Sequence, residues 1–193
     1  RWEHQPRQTI RALQKAEKDG LESLTNEEKN LVRLHTEREG AYQRAFDDLT
    51  SGDDNTAVGR RALTKVTTGS SNTSVGSGTV ELNTTGSNNT GVGTNALYAN
   101  TTGVDNTAIG KTSLSTNTIG NYNVGVGVDS LLSNTEGEVN VGIGNNALRA
   151  NTTADQNTAV GTNAMYANTT GANNVAVGHN ALDANTTGNR NTV

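Results

Sequence analysis

Cysteine is absent from this chain, which excludes disulfides and thiolate metal sites and leaves the redox compartment open. Aromatic residues make up 3% and apolar residues 31% of the 193 positions, too little material for a thick core of the usual kind. The formal charge of −4 is too mild to argue for a nucleic-acid partner or an anionic membrane surface. No apolar run approaches the roughly 18 residues needed to cross a bilayer, so membrane insertion is not expected. Nor does an apolar signal segment follow Arg1. A first residue other than Met and an end at Asn191-Thr192-Val193, three residues into a repeat, together suggest a fragment of a longer chain.

What is abundant is order. Asparagine recurs every 17 residues at Asn55, Asn72, Asn89, Asn106, Asn123, Asn140, Asn157, Asn174 and Asn191, with no insertion or deletion between them. Counting Asn55 as position 1 gives eight complete repeats up to Arg190 and the start of a ninth. Self-similarity at a fixed period of this size is the signature of a solenoid, whose rungs bury the same few side chains repeatedly. The expected fold is mainly β, a parallel β-roll of 17-residue coils over residues 55–193. At about 4.8 Å per rung, eight rungs would span roughly 38 Å.

Each position in the repeat N-T-A-V-G-x-x-A-L-x-x-N-T-T-G-x-x carries a physical role. The opening four residues alternate as a strand does, so positions 2 and 4 share one face and position 3 the other. Position 3 holds only Ala57, Ser74, Gly91, Ala108, Gly125, Gly142, Ala159 and Ala176, which implies close approach by another backbone, across a narrow roll or from a neighbouring subunit. The glycines that follow, Gly59, Gly76, Gly93, Gly110, Gly127, Gly144, Gly161 and Gly178, are expected to turn the chain through a backbone angle that a Cβ disfavours.

A second strand is expected after that turn, carrying the large apolar slot. The repeat core is then assigned to two columns. One is Val58, Val75, Val92, Ile109, Val126, Ile143, Val160 and Val177; the other is Leu63, Val80, Leu97, Leu114, Leu131, Leu148, Met165 and Leu182. Threonine stands at position 13 in all eight repeats, and glycine closes that corner everywhere except at Ala154. Asparagine and threonine at such a corner can bond to local backbone and to the next rung. Two or three sizeable side chains per rung are a small return for ordering 17 residues, so self-association is expected.

Residues 1–54 differ in kind, holding 21 of the 34 charged side chains. Pro6 suits a first helical turn, Ile10, Leu13 and Ala16 fall on one helical face, and Thr25 with Glu28 forms a capping-box pattern. Leu31, Leu34, Ala41, Ala45 and Leu49 continue at spacings of three, four or seven. The segment is expected to be a helical anchor or stalk, with a simple amphipathic cap for the first rung as the plainer alternative. Ser51-Gly52-Asp53-Asp54 would lead from it into the rod.

The run N-T-A-V-G-x-x-A-L resembles the head repeat of trimeric autotransporter adhesins. Strings such as Asn157 to Gly171 are more closely similar to repeats of bacteriophage tail fibres and other virion fibres. The resemblance covers residues 55–193. It implies a left-handed β-roll assembled as a homotrimer, with residues 1–54 bound to other virion proteins of a tail or capsid and the rod projecting toward a host-cell receptor such as a glycan. The implied location is the surface of a phage particle. A bacterial cell surface, with the chain as an adhesin head, is the alternative, although the repeat here is longer than the adhesin's and these 193 residues contain neither a neck motif nor a membrane-anchoring barrel segment. The resemblance identifies no receptor-binding residue.

Nothing in the pattern points to catalysis, to a metal or to a cofactor. His4, His35 and His179 are far apart in sequence, and the rod's carboxylates fall in non-repeating slots without a paired register. The glycines lack the aspartates of calcium-binding nonapeptide repeats. Gly125-Val126-Gly127 mimics part of a dinucleotide fingerprint, but the repeat accounts for it. Asn83-Thr84-Thr85 and Asn100-Thr101-Thr102 read as glycan acceptors by motif and as structural corners by recurrence. Adjacent threonines at a glycine corner point different ways, which argues against an ice-binding rank. The slots that do vary hold Tyr98, Arg149, Tyr166 and Asp183 in one column and Arg60, Lys111 and His179 in another. There an exposed aromatic could stack on a sugar.

Overall fold

The computed structural model describes residue 48 and residues 50–193; the expected helical anchor of residues 1–54 lies almost wholly outside the described residues. From Thr50 onward the chain is a β-solenoid with 17-residue coils. One three-residue strand forms per coil: β1 Thr56–Val58, β2 Thr73–Val75, β3 Thr90–Val92, β4 Thr107–Ile109, β5 Val124–Val126, β6 Val141–Ile143, β7 Thr158–Val160 and β8 Val175–Val177. They make one parallel sheet in the order β1 to β8. Register is uniform, each residue pairing with the one 17 further on, as in Thr56 with Thr73 and Val58 with Val75. Parallel pairing follows because every coil returns to the same edge in the same direction.

The coil geometry reaches back before Asn55. Thr50 Oγ1 and the Thr50 and Ser51 N–H groups donate to the Thr67 carbonyl at 2.8, 2.9 and 3.1 Å, and Asp48 pairs with Lys65 Nζ at 2.9 Å. Thr50 to Asp54 therefore occupy positions 13 to 17 of a preceding coil. The sequence T-S-G-D-D matches T-T-G-x-x there, and Ser51 to Asp54, expected to lead from the helical segment into the rod, are already part of the rod.

The sheet's inward face differs from the expectation. Val58, Val75, Val92, Ile109, Ile143 and Val177 are exposed, from 36% at Val92 to 61% at Val177, and Val126 and Val160 are half-buried. This β-branched column, assigned to the core from sequence, faces outward. The inward side chains of the strands are instead the small ones, with Ser74, Ala108, Ala159 and Ala176 wholly buried. The reason is the width of the roll. A Cβ built on Gly91 would lie 2.6 Å from Thr79 Cγ2 and 2.7 Å from Val80 Cγ2, so the strand has room beneath it for little more than a methyl group.

The large apolar column crosses from the opposite wall and fills that width. Leu63, Val80, Leu97, Leu114, Leu131, Leu148 and Met165 are wholly buried, and Leu182 is half-buried. No second strand carries them. Each sits in the left-handed region, with φ between 49° for Leu63 and 54° for Leu182, between turns that bend the chain back toward the sheet. Bulky residues seldom adopt this angle, since it costs about 1–2 kcal/mol. Burial of a leucine-sized side chain contributes about 1.5–3 kcal/mol, enough to offset it. Two further left-handed corners per coil lie at the Asn95 and Asn88 positions; Asn, Asp or Gly, which tolerate the angle, hold six of the eight at the first and four of nine at the second.

The turn glycines behave as their position implies. Gly59 through Gly178 have φ between 126° and 137°, and a Cβ on any of the first seven would come within 2.8 Å of the next glycine's backbone. Apart from Val66 and small residues such as Ala96 and Ala147, the rest of the interior is largely polar. Asn72, Asn89, Asn106, Asn123, Asn140, Asn157 and Asn174 form one buried column and Asn83 through Asn168 a second. In the first, each side-chain oxygen accepts from the next asparagine's backbone N–H, as Asn89 Oδ1 does from Asn106 N at 3.1 Å. Its Nδ2 donates to a corner carbonyl, as Asn106 does to Gly120 O at 2.8 Å. The second column shares that acceptor, Asn117 Nδ2 donating to the same Gly120 oxygen at 2.9 Å and to Asn100 Oδ1 at 2.8 Å. Threonine hydroxyls add an outer ladder, Thr84 Oγ1 donating to Thr101 O at 3.0 Å. Backbone polarity inside so thin a body is thus satisfied by side chains in register.

Candidate functional site: the outer walls of the solenoid

The buried positions are consumed by the scaffold, which leaves the outer walls as the candidate functional surfaces. On the sheet wall, positions 2 and 4 project outward from every strand. Position 4 is Val or Ile in all eight repeats, and position 2 is Thr or Val. In-register pairing stacks them into two straight ribs along the sheet, the apolar one unbroken from Val58 to Val177. Most of this rib is more than a third exposed. A continuous apolar strip of that length is uncommon on a monomer's surface, which makes it a candidate interaction face.

A second wall carries the non-repeating residues. Arg149, Tyr166 and Asp183 stack at position 10 of successive coils, with Asn146, Asn163 and Asn180 beside them at position 7. The guanidinium of Arg149 lies over the Tyr166 ring, 5.7 Å from its centroid, and its Nη1 donates to the Tyr166 hydroxyl at 3.4 Å. Asn146 Nδ2 donates to Asn163 Oδ1, and Asn163 Nδ2 to Asn180 Oδ1, each at 3.1 Å. Between these columns opens a shallow groove of about 350 Å³ lined by Asn163, Tyr166, Asn180 and Asp183. Sequence reasoning named Tyr166, Arg149 and Asp183 as variable and exposed. It missed Asn163 and Asn180, whose only signal is a polar residue at a left-handed corner.

Near the first coils the same wall holds an ion pair between Arg61 and Glu81. Glu81 is buried, and its second oxygen, Oε2, has no hydrogen-bond partner.

Among the described residues no group of three or more His, Asp or Glu side chains is placed to hold a metal ion. No described helix is long and apolar enough to cross a membrane. His179 is exposed. The threonine sequons are structural, since Asn83 and Asn100 are wholly buried and hydrogen-bonded within the ladder, out of reach of any modifying enzyme in the folded rod. No family model matches the chain, and no curated protein or solved structure matches it either.

Proposed function

We propose that this chain is a structural and adhesive fibre protein without catalytic activity. Its coils associate through the valine rib as a homotrimer, and the assembly projects from a phage particle toward a host cell. The observation that carries the proposal is the rib itself, eight β-branched side chains aligned on the outside of a body whose own core is one leucine wide. Burying that rib against identical ribs adds apolar contact at every coil without any new sequence. The trimeric state and the virion setting rest on the resemblance of the repeat to phage fibres and adhesin heads. The part of residues 1–54 that precedes the rod is assigned the attachment to other virion proteins on its charge and helical spacing. Multiple copies would multiply a weak receptor contact by avidity.

Sedimentation equilibrium tests the assembly. The expected mass is three times the 20.1 kDa of one chain. Ile109→Lys places a charge in the middle of the rib and is expected to release monomers or unfold the coils. Ile119→Lys, at an equally exposed site off the rib, leaves the mass unchanged. A wild-type chain that stays monomeric and folded on dilution removes the fibre reading.

A further inference from the structure

We infer that the groove between positions 7 and 10 of coils 7 and 8 is a binding site for a neutral saccharide, with Tyr166 as the apolar platform and Asp183 and Asn180 as the polar contacts. It deepens the adhesive reading above by naming the class of receptor, and rests on that reading only for the surface on which the sugar is displayed.

Three features of the groove point to this ligand. Tyr166 is 39% exposed even though Arg149 occupies one face of its ring, so ring surface remains open beside polar groups, the combination that suits a molecule with one C–H face and a rim of hydroxyls. The Asp183 side chain has no hydrogen-bond or ion-pair partner among the described residues, and the Asn180 amide accepts from Asn163 while its own N–H groups donate to nothing there. A free carboxylate acceptor beside a free amide donor matches two neighbouring hydroxyls, one donating to Asp183 and the other accepting from Asn180. The groove is too polar for a purely apolar ligand. Asp183 also disfavours anions at the mouth, while Arg149 is engaged with Tyr166 rather than aimed into the groove.

The local chemistry is specific to these coils. Tyr98 occupies the same position in coil 3 beside Asn95, but the next coil offers Thr112 and Ser115 in place of Asn180 and Asp183. Tyr98 is also half-buried. It therefore serves as an internal control carrying the same side chain without the polar pair.

Saturation-transfer NMR on the intact chain tests the assignment, with glucose, galactose, mannose and N-acetylglucosamine as neutral probes and N-acetylneuraminic acid as the anionic one. The expected result is transfer to at least one neutral sugar at tens of millimolar, with affinity on the order of millimolar for so shallow a site. Tyr166→Ala and Asp183→Asn are each expected to weaken it at least tenfold, while Tyr98→Ala does not. Both mutated side chains at the groove are exposed, and superposable thermal melts establish that the fold is kept; should Tyr166→Ala alter the melt, Asp183→Asn decides. Absence of transfer to every neutral sugar overturns the inference. So does preference for the anionic sugar, or binding that survives both groove variants. Mass measured on the same samples separates the two readings: a sugar-binding monomer sinks only the fibre, and a non-binding trimer sinks only the groove.

Discussion

Replacing Gly125 by alanine isolates the packing rule that governs the interior. Gly125 lies in β5 with a backbone angle outside the left-handed region, so alanine can adopt its conformation, and the cost is steric. The added methyl carbon would lie 2.5 Å from Ser113 Oγ and 3.3 Å from Leu114 Cγ. Overpacking of this kind costs about 1–3 kcal/mol, reduced by the roughly 0.4–1 kcal/mol that a glycine-to-alanine change recovers from the unfolded chain. Ser113 is the partner to change. Its hydroxyl is buried without a hydrogen-bond partner, so Ser113→Ala removes a group whose burial costs about 1–3 kcal/mol and is expected to stabilise by itself. In the double variant the pair becomes Ala with Ala, the arrangement already present at Ala96 with Ala108, Ala147 with Ala159 and Ala164 with Ala176. Urea denaturation of the four proteins at one chain concentration should therefore give a coupling of about 1–2 kcal/mol in favour of the double variant. If Gly125→Ala costs as much with alanine at 113 as with serine, the steric argument fails.

Asn106→Ala should be among the most destabilising single changes in the rod. It strands the buried Asn123 N–H and takes one donor from Gly120 O, at about 2–5 kcal/mol by denaturation midpoint. Val139 is β-branched, 48% exposed and held at φ 56°. Val139→Asn, the residue found at this position in Asn88 and Asn173, should stabilise by about 0.5–1 kcal/mol, read as a rise in Tm. Ala154 stands where neighbouring coils have glycine, and its corner lacks the two hydrogen bonds that Thr85 and Gly86 make to Thr101 O. Ala154→Gly should restore the equivalent pair to Thr169 O, with slower amide exchange at residues 153 and 154 as the readout.

The period, the parallel stacking, the turn glycines and the bonding of the corner asparagines and threonines to the next rung were legible in the sequence, because each is a repeated chemical type at a fixed spacing; the buried ladder of Asn72, Asn89 and Asn106 showed only as recurrence. Which face of the strand points inward was not. Valine at position 4 and alanine at position 3 both fit a strand, and hydrophobicity alone favours the valine side. The deciding quantity is the distance across the roll, set by Leu114 and its column reaching over from left-handed corners. A leucine at positive φ leaves no mark in composition or alternation, which is also why a second strand was expected where turns occur. Of the groove, Tyr166 and Asp183 stood out as departures from the repeat. Asn163 and Asn180 were hidden because asparagine is common throughout this chain and their corner role accounts for them.

Size matching between position 8 of one coil and position 3 of the next limits how such a rod can lengthen by duplication. Thr79 faces Gly91, Ser113 faces Gly125 and Ser130 faces Gly142, whereas alanine at position 8 is followed by Ala108, Ala159, Ala176 or Ser74. Copying coil 7 sets Ala164 against a second Ala159, and copying coil 5 sets Ser130 against a second Gly125, so both preserve the fit. Copying coil 2 would press Thr79 on Ser74, and copying coil 4 would press Ser113 on Ala108. A gene that grows by tandem copying of 17 codons is free to do so at some joints and penalised at others, and the permitted lengths are encoded in a few methyl and hydroxyl groups.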